Sequence, residues 1–438
     1  MTEQDGENTM GARGGRLRRI AANAALIAAS VGMIFALSLG ADRIVGGRLL
    51  RSPLPGAMEL VFPPNSKMEF ETPQFHYTSN INSLGYRDRE PSSLQKDSFK
   101  IAAIGDSFTY GWGVDLEQCW VKVVERNLQQ AGYNVEMINL GKPGGDPTTY
   151  AETAEKAIPV LRPDMVLVCM LQADDLAGMG GTGSASAAKP APLPVRFAEF
   201  CWPRIVEAFR NRQGKTGPVT DSQGVHGPLA LSAELNNQGQ AKIAKDEYDK
   251  LPPEARVRFD ALEEQVRKQF FDGTLNPCLV ASAARGPNFH LDFSRSHLDP
   301  FQKDLPDLFL RDIVARAAHL MGRIKKVAGL YGAPLVGVSV PLGSYVNRAA
   351  LDSYRRVGYK TVPEMTDSNV PDKAISDVFA AVGVPCLSVT DEFRKHKEDP
   401  TLFFELDGHL SAAGHALFGN LLTPLLEKEL GARGKSGE

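Results

Sequence analysis

Five short apolar runs, at residues 99–104, 135–139, 165–171, 334–340 and 385–389, alternate along this chain with stretches of helical periodicity. No other feature limits the fold as much. The runs are bounded by Gly, Pro or Asp and are apolar without a break, the pattern of strands covered on both faces in a parallel sheet. Between the first two, Asp115 and Gln118 form a capping-box signature, Trp120, Val123, Val124 and Leu128 recur at three-and-four spacing, and Gly132 supplies the stop. Further helical patterns cover 148–161, 305–331 and 412–430. Strand and helix in alternation predict an α/β chain: a doubly wound three-layer α/β/α sandwich around a five-stranded parallel sheet. With 438 residues, 43% of them hydrophobic, the chain has ample material for that core.

The amino terminus follows a different rule. Residues 20–41 contain no charge, and at about 1.5 Å per residue they suffice to cross a hydrocarbon layer of about 30 Å. Arg13, Arg16, Arg18 and Arg19 precede them, so the positive-inside rule predicts a cytoplasmic tail at 1–19, a membrane anchor at 20–41 and everything later outside, on the periplasmic side. Arg43, Arg48 and Arg51 weaken the asymmetry. A cleaved signal peptide is the competing reading, since Ser38 and Gly40 make a weak small-x-small site, but signal cores run to only about 7–15 residues.

A lead-in segment occupies 42–98, and the sandwich is expected in two parts, 99–176 and 305–430. Residues 177–304 separate them. This stretch opens on a Gly/Ser/Ala/Pro-rich linker, continues with helical pieces near 233–248 and 254–271, and is too long for a connection, which predicts an inserted cap or lid. A net charge of -3 offers no basic stripe for nucleic acid. Neither a dinucleotide G-x-G-x-x-G nor a phosphate loop is present, so no cofactor is expected. The five cysteines are too scattered for a metal site, although Cys201 and Cys278 remain free to pair. His290, Asp292, His297 and Asp299 repeat His-Leu-Asp, a pattern read here as a polar loop rather than a metal site.

Chemistry gathers at the two ends of the sandwich. "AIGDSFTYG" places Asp106 and Ser107 where the first strand hands over to a helix, at the carboxyl edge of the sheet where open α/β folds bind ligands. Gly-Asp-Ser alone is also ordinary turn composition. "LFFELDGHLSAAGHA" adds Asp407 and His409 just before the last helix. A serine hydroxyl becomes a useful nucleophile when an imidazole takes its proton and a carboxylate fixes the imidazole's tautomer. His415, on the first turns of that helix, reads as a packing or capping residue.

In order along the chain, "GDSFTYG", "INLGKPGG", "MLQADDL" and the Asp-His loop resemble the blocks of the SGNH hydrolase superfamily, the GDSL esterases; "NINSLGYRDRE" is similar to the lead-in of its envelope members. The resemblance spans about 80–176 and 305–430 and implies the flavodoxin-like sandwich already expected. It also implies roles: Ser107 as nucleophile, His409 as general base, Asp407 orienting it, and the N–H of Gly141 joining that of Ser107 in an oxyanion hole. One residue stands between Asp407 and His409, where the family usually has two. Where it carries an Asn amide donor, this chain has Asp174, which donates only when protonated. Gln172, two residues back and on the same face of a straight strand, is the better donor on paper.

The expectation is therefore a membrane-anchored serine esterase, or an O-acyltransferase working through the same acyl-enzyme, acting on an O-acylated extracytoplasmic glycan. A catalytically reduced scaffold that binds glycan or an envelope partner is the alternative, prompted by Asp174.

Overall fold

The computed structural model describes residues 4–50, 59–91, 97–177, 179, 192–212, 234–235, 237–288 and 305–434. They form two compact units. The first holds the helix Gln4–Ala41, its continuation through a wide turn at Asp42–Gly46 into Gly47–Leu50, and the helices Leu193–Cys201 and Pro203–Arg212. The first helix overruns the apolar stretch at its amino end, starting at Gln4. Ala22–Leu49 is long and apolar enough to cross a membrane, with a mean hydropathy of 2.1.

The second unit contains both sheets. A hairpin of β1 (Lys67–Glu71) and β2 (His76–Asn80) pairs antiparallel. The larger sheet is built from β3 (Phe99–Gly105), β4 (Val135–Gly141) and β5 (Met165–Leu171). A two-residue β6 (Glu234–Leu235) extends the hairpin to the order β2-β1-β6. β7 (Leu335–Val340) and β8 (Cys386–Ser388) complete the larger sheet, whose order is β4-β3-β5-β7-β8 and whose pairings are all parallel. Every residue of β4, β5 and β7 is buried, as the unbroken apolar runs require. Helices Trp120–Gln130 and Ala412–Gly434 pack together, as do Pro147–Leu161 and Leu305–Tyr331, giving the α/β/α sandwich. The strand order reverses between β3 and β5, so the crevice beyond their carboxyl ends is where such a sheet takes a ligand.

The inserted stretch 177–304 divides between the units. Its helices near 193–212 belong with the amino-terminal helix, and Asn237–Asp249, Pro253–Asp260, Glu264–Phe271 and Pro277–Arg285 belong to the second unit. His290, Asp292, His297 and Asp299 lie outside the described residues. All five cysteines are free thiols, so Cys201 and Cys278 form no disulfide.

β4 is an edge strand, and buried carboxylates satisfy its outward backbone. Glu125 accepts from the Met137 N–H at 2.7 Å and Asp88 from the Asn139 N–H at 2.8 Å. Lys122 lies between them, with Nζ 2.8 Å from Asp88 and 3.2 Å from Glu125, Arg89 gives Glu125 a second cation, and the side chains of Lys122, Asp88 and Glu125 are at most 3% exposed. Removing one partner of such a set leaves uncompensated buried charge, a cost of about 3–5 kcal/mol. Lys122→Met is expected to lower unfolding stability by about that amount in a urea titration followed by circular dichroism.

Candidate active site

β3 ends at Gly105, and Asp106 caps the four-residue helix Ser107–Tyr110 by accepting from the Phe108 N–H at 3.0 Å. Ser107 thereby stands on the first helical position at the sheet's carboxyl edge, with its hydroxyl in the crevice. From 302 positions later His409 arrives on the loop between Leu406 and Leu410, with Nε2 2.7 Å from Ser107 Oγ. Its Nδ1 lies 2.5 Å from Asp407 Oδ1. The single intervening residue, Gly408, takes φ +87°, a left-handed turn that brings both side chains to one side and that a residue with a Cβ adopts only with strain.

Two further groups hold the carboxylate. Asp407 Oδ2 accepts from Trp112 Nε1 and from Asn276 Nδ2, each at 3.2 Å. Neither residue was singled out in the sequence: Trp112 sits between two glycines like any turn aromatic, and Asn276 reaches the site from the insertion, where it caps the helix Pro277–Arg285. The lead-in fixes Trp112 in turn. Arg87, 1% exposed, donates to the carbonyls of Tyr110, Gly111 and Val114. Its guanidinium stacks 4.8 Å from the Tyr110 ring, and Tyr110 donates to Ser79 at 2.6 Å. The "GYRDRE" motif is thus a clamp on the loop that follows Ser107.

The electrostatics suit proton transfer to the ring. Burial opposes the imidazolium of His409, but Asp407, then Asp106 and Asp174, outweigh it and hold its pKa above the ordinary value of 6.5. Asp106 is pushed up to about 7 by burial and the charge of Asp174, and His409 partly offsets this. Asp175 goes well above the usual carboxylate range, by burial and then by Asp106 and Asp174, which favours its protonated form. Carboxylate oxygens of Asp106, Asp174 and Asp175 lie within 4.8 Å of one another, the grouping among the described residues with the donors a metal would need. Burial and the mutual repulsion of the three raise the pKa values of Asp106 and Asp175. His415 lies apart from this chemistry: its Nδ1 accepts from the Trp120 N–H at 3.3 Å, and burial drives its pKa down to about 3.

Two residues expected as oxyanion donors are not turned toward the crevice. The N–H of Gly141 donates to its neighbour Asn139 Oδ1 at 3.0 Å, and the residue is glycine because a Cβ would meet Tyr110 N at 2.1 Å. Gly144 instead lines the cavity, exposed and at φ +69°. The doubled glycine in "KPGGD" was the available signal. A straight strand would put Gln172 beside Asp174, but β5 ends at Leu171 and Ala173 turns the chain at φ +62°. Its amide therefore points inward, donating to Thr390 Oγ1 at 2.7 Å and Asp372 Oδ1 at 3.1 Å, and works as a tie between strand ends. Asp174 does line the cavity.

That cavity, of about 420 Å³, opens over Ser107 and His409. Trp112, Tyr354 and Tyr359 contribute rings, and the insertion closes it with Ile243, Leu279 and the Glu247–Arg285 ion pair at 2.8 Å. A hydroxyl, an imidazole and a carboxylate in hydrogen-bonded series at the floor of a cavity can deprotonate the hydroxyl as it attacks an electrophilic carbon.

No protein-family model and no curated protein sequence matches the chain. Among solved structures, TesA aligns over 75% of this chain and 98% of its own at 10% identity, with a TM-score of 0.32. LAE5, an alpha/beta hydrolase enzyme from the metagenome of Lake Arreo, Spain, aligns over 74% and 92% at 12% identity, with a TM-score of 0.29. Neither likeness bears on the reaction, which has to be argued from the residues.

Proposed function

We propose that the chain is a membrane-anchored serine hydrolase acting on O-acyl esters, with an acylated glycan outside the membrane as substrate. The observation that carries this reading is the unbroken series Ser107–His409–Asp407, with contacts of 2.7 and 2.5 Å. His409 Nε2 takes the proton as Ser107 Oγ attacks the ester carbonyl, and returns it to the departing alcohol oxygen. The acyl group stays on Ser107 until water, activated by the same imidazole, or another hydroxyl takes it. Negative charge on the carbonyl oxygen is met by the N–H groups of Ser107 and Gly144. Flat ring faces beside an ion pair suit a sugar, which presents apolar faces and hydroxyl edges together. The arginines before the apolar helix support a periplasmic position for the second unit.

The test is a fluorophosphonate probe applied to the full chain in detergent, followed by peptide mapping. Labelling at Ser107 is expected; no labelling would leave the glycan-binding scaffold ahead. A second result is expected of Trp112→Phe, which keeps the ring but removes a hydrogen bond to the Asp407 carboxylate. Bonds to charged groups contribute about 1.5–3 kcal/mol, so turnover of p-nitrophenyl acetate should fall about ten- to a hundredfold.

A further inference from the structure

The helices Leu193–Cys201 and Pro203–Arg212 make a hairpin whose polar and aromatic contacts go to the amino-terminal helix. Trp202 Nε1 donates to Ser38 Oγ at 3.1 Å. Phe35 stacks with Phe197 at 6.4 Å and meets Trp202 edge-on at 6.1 Å. Asp42, 3% exposed, accepts from the Ile205 N–H at 2.9 Å and so caps the second helix of the hairpin. These contacts fix the hairpin's depth. Phe35 lies six residues before the end of the charge-free stretch, about 9 Å at about 1.5 Å per residue, so whatever packs on it is below the membrane surface.

Four large apolar side chains of the hairpin are nonetheless mostly exposed. Leu193 is 78% exposed, Phe200 85%, Phe209 62% and Phe197 55%. In water that would be a poor use of three phenylalanines. At the acyl-chain boundary it is the composition expected of an interfacial helix, which sinks its apolar face about 5–10 Å while a long cation such as exposed Arg196 snorkels outward. Trp202, with its indole bonded at that level, matches the interfacial preference of tryptophan.

We propose that residues 193–212 form a second membrane element, a monotopic hairpin lying against the span with Leu193, Phe197, Phe200 and Phe209 among lipid acyl chains. The proposal rests on the reading of residues 20–41 as a membrane span. Lipid is the occupant because the exposed face continues directly from side chains of the span. The chain leaves the first unit after residue 55, returns at 186 and leaves again after 218, so the second unit is tethered to the membrane at its amino end and again within its insertion.

The full chain, with Trp202 kept because its bond to Ser38 helps to set the depth in question, is reconstituted into phosphatidylethanolamine–phosphatidylglycerol vesicles with brominated acyl chains, and emission is read as the difference from wild type. Phe200→Trp and Leu26→Trp are then added separately; both native side chains are largely exposed within the protein, so neither change disturbs a core. The added emission of both variants is expected to be lost to the brominated lipid and spared by aqueous iodide. Loss at Leu26→Trp with iodide quenching at Phe200→Trp would overturn the hairpin proposal and leave the span standing. Protection of Phe200→Trp from both quenchers would overturn it too, assigning that face to a protein partner or a second copy. No lipid quenching at either position would remove the span, and the hairpin proposal with it.

Discussion

Ser107→Ala is expected to lower p-nitrophenyl acetate turnover by about 10⁴-fold or more, and adding His409→Ala to that variant is expected to change nothing further. The imidazole's contribution is made through Ser107: its Nε2 contact, at 2.7 Å, is to that hydroxyl. Once the nucleophile is gone His409 has no serine proton to take, so the two losses overlap instead of adding. In the proposed mechanism residual turnover belongs to the backbone N–H groups assigned to the oxyanion at Ser107 and Gly144, which survive both changes. Thermal unfolding by circular dichroism guards against the trivial explanation, because the His409 ring packs 5.0 Å from Phe108 and its loss loosens that contact. Equal rates in wild type and Ser107→Ala would end the hydrolase reading, and fully additive losses would place His409 in some other role.

The sandwich was legible because its determinants are local and periodic. Five apolar runs, each too short for a helix and each closed by turn residues, leave few arrangements besides a covered parallel sheet, and all five become strands in one sheet. Ser107, Asp407 and His409 stood out because their chemistry is interdependent, so that a hydroxyl at one strand end gave a reason to look for an imidazole elsewhere. What stayed hidden depends on backbone detail or on distant contacts. A single left-handed residue, Ala173, turns Gln172 into the protein interior. Gly141 and Gly144 are indistinguishable as letters, yet one is packed against Tyr110 and the other faces the cavity. Asn276 caps a helix of the insertion, and its hold on Asp407 across 131 positions leaves no periodic trace. The apolar hairpin at 193–212 read as part of a cap because its bonds to Ser38 and Asp42 exist only in three dimensions.

Asp174→Asn is expected to raise turnover at neutral pH by about 10²-fold, since one additional oxyanion donor contributes about that much in a serine hydrolase. Asp174 lines the cavity, and its charge is among the influences that lift both Asp106 and His409. An ionised carboxylate there accepts hydrogen bonds and repels the charge that develops on the carbonyl oxygen, whereas an amide at the same point donates. The pH profile supplies the independent check. His409 works as a base in its neutral form, and Asp407, Asp106 and Asp174 hold its pKa above 6.5 against burial, so wild-type activity should fall as pH drops through that raised value. Removing the charge of Asp174 removes one of the three raising influences. Asp106, relieved of that charge, ionises more readily and raises His409 in turn, so the acid limb of Asp174→Asn is expected to stay near its wild-type position while the plateau rises. A plateau that falls, with the limb shifted or not, would overturn the reading that the Asp174 side chain opposes the developing oxyanion.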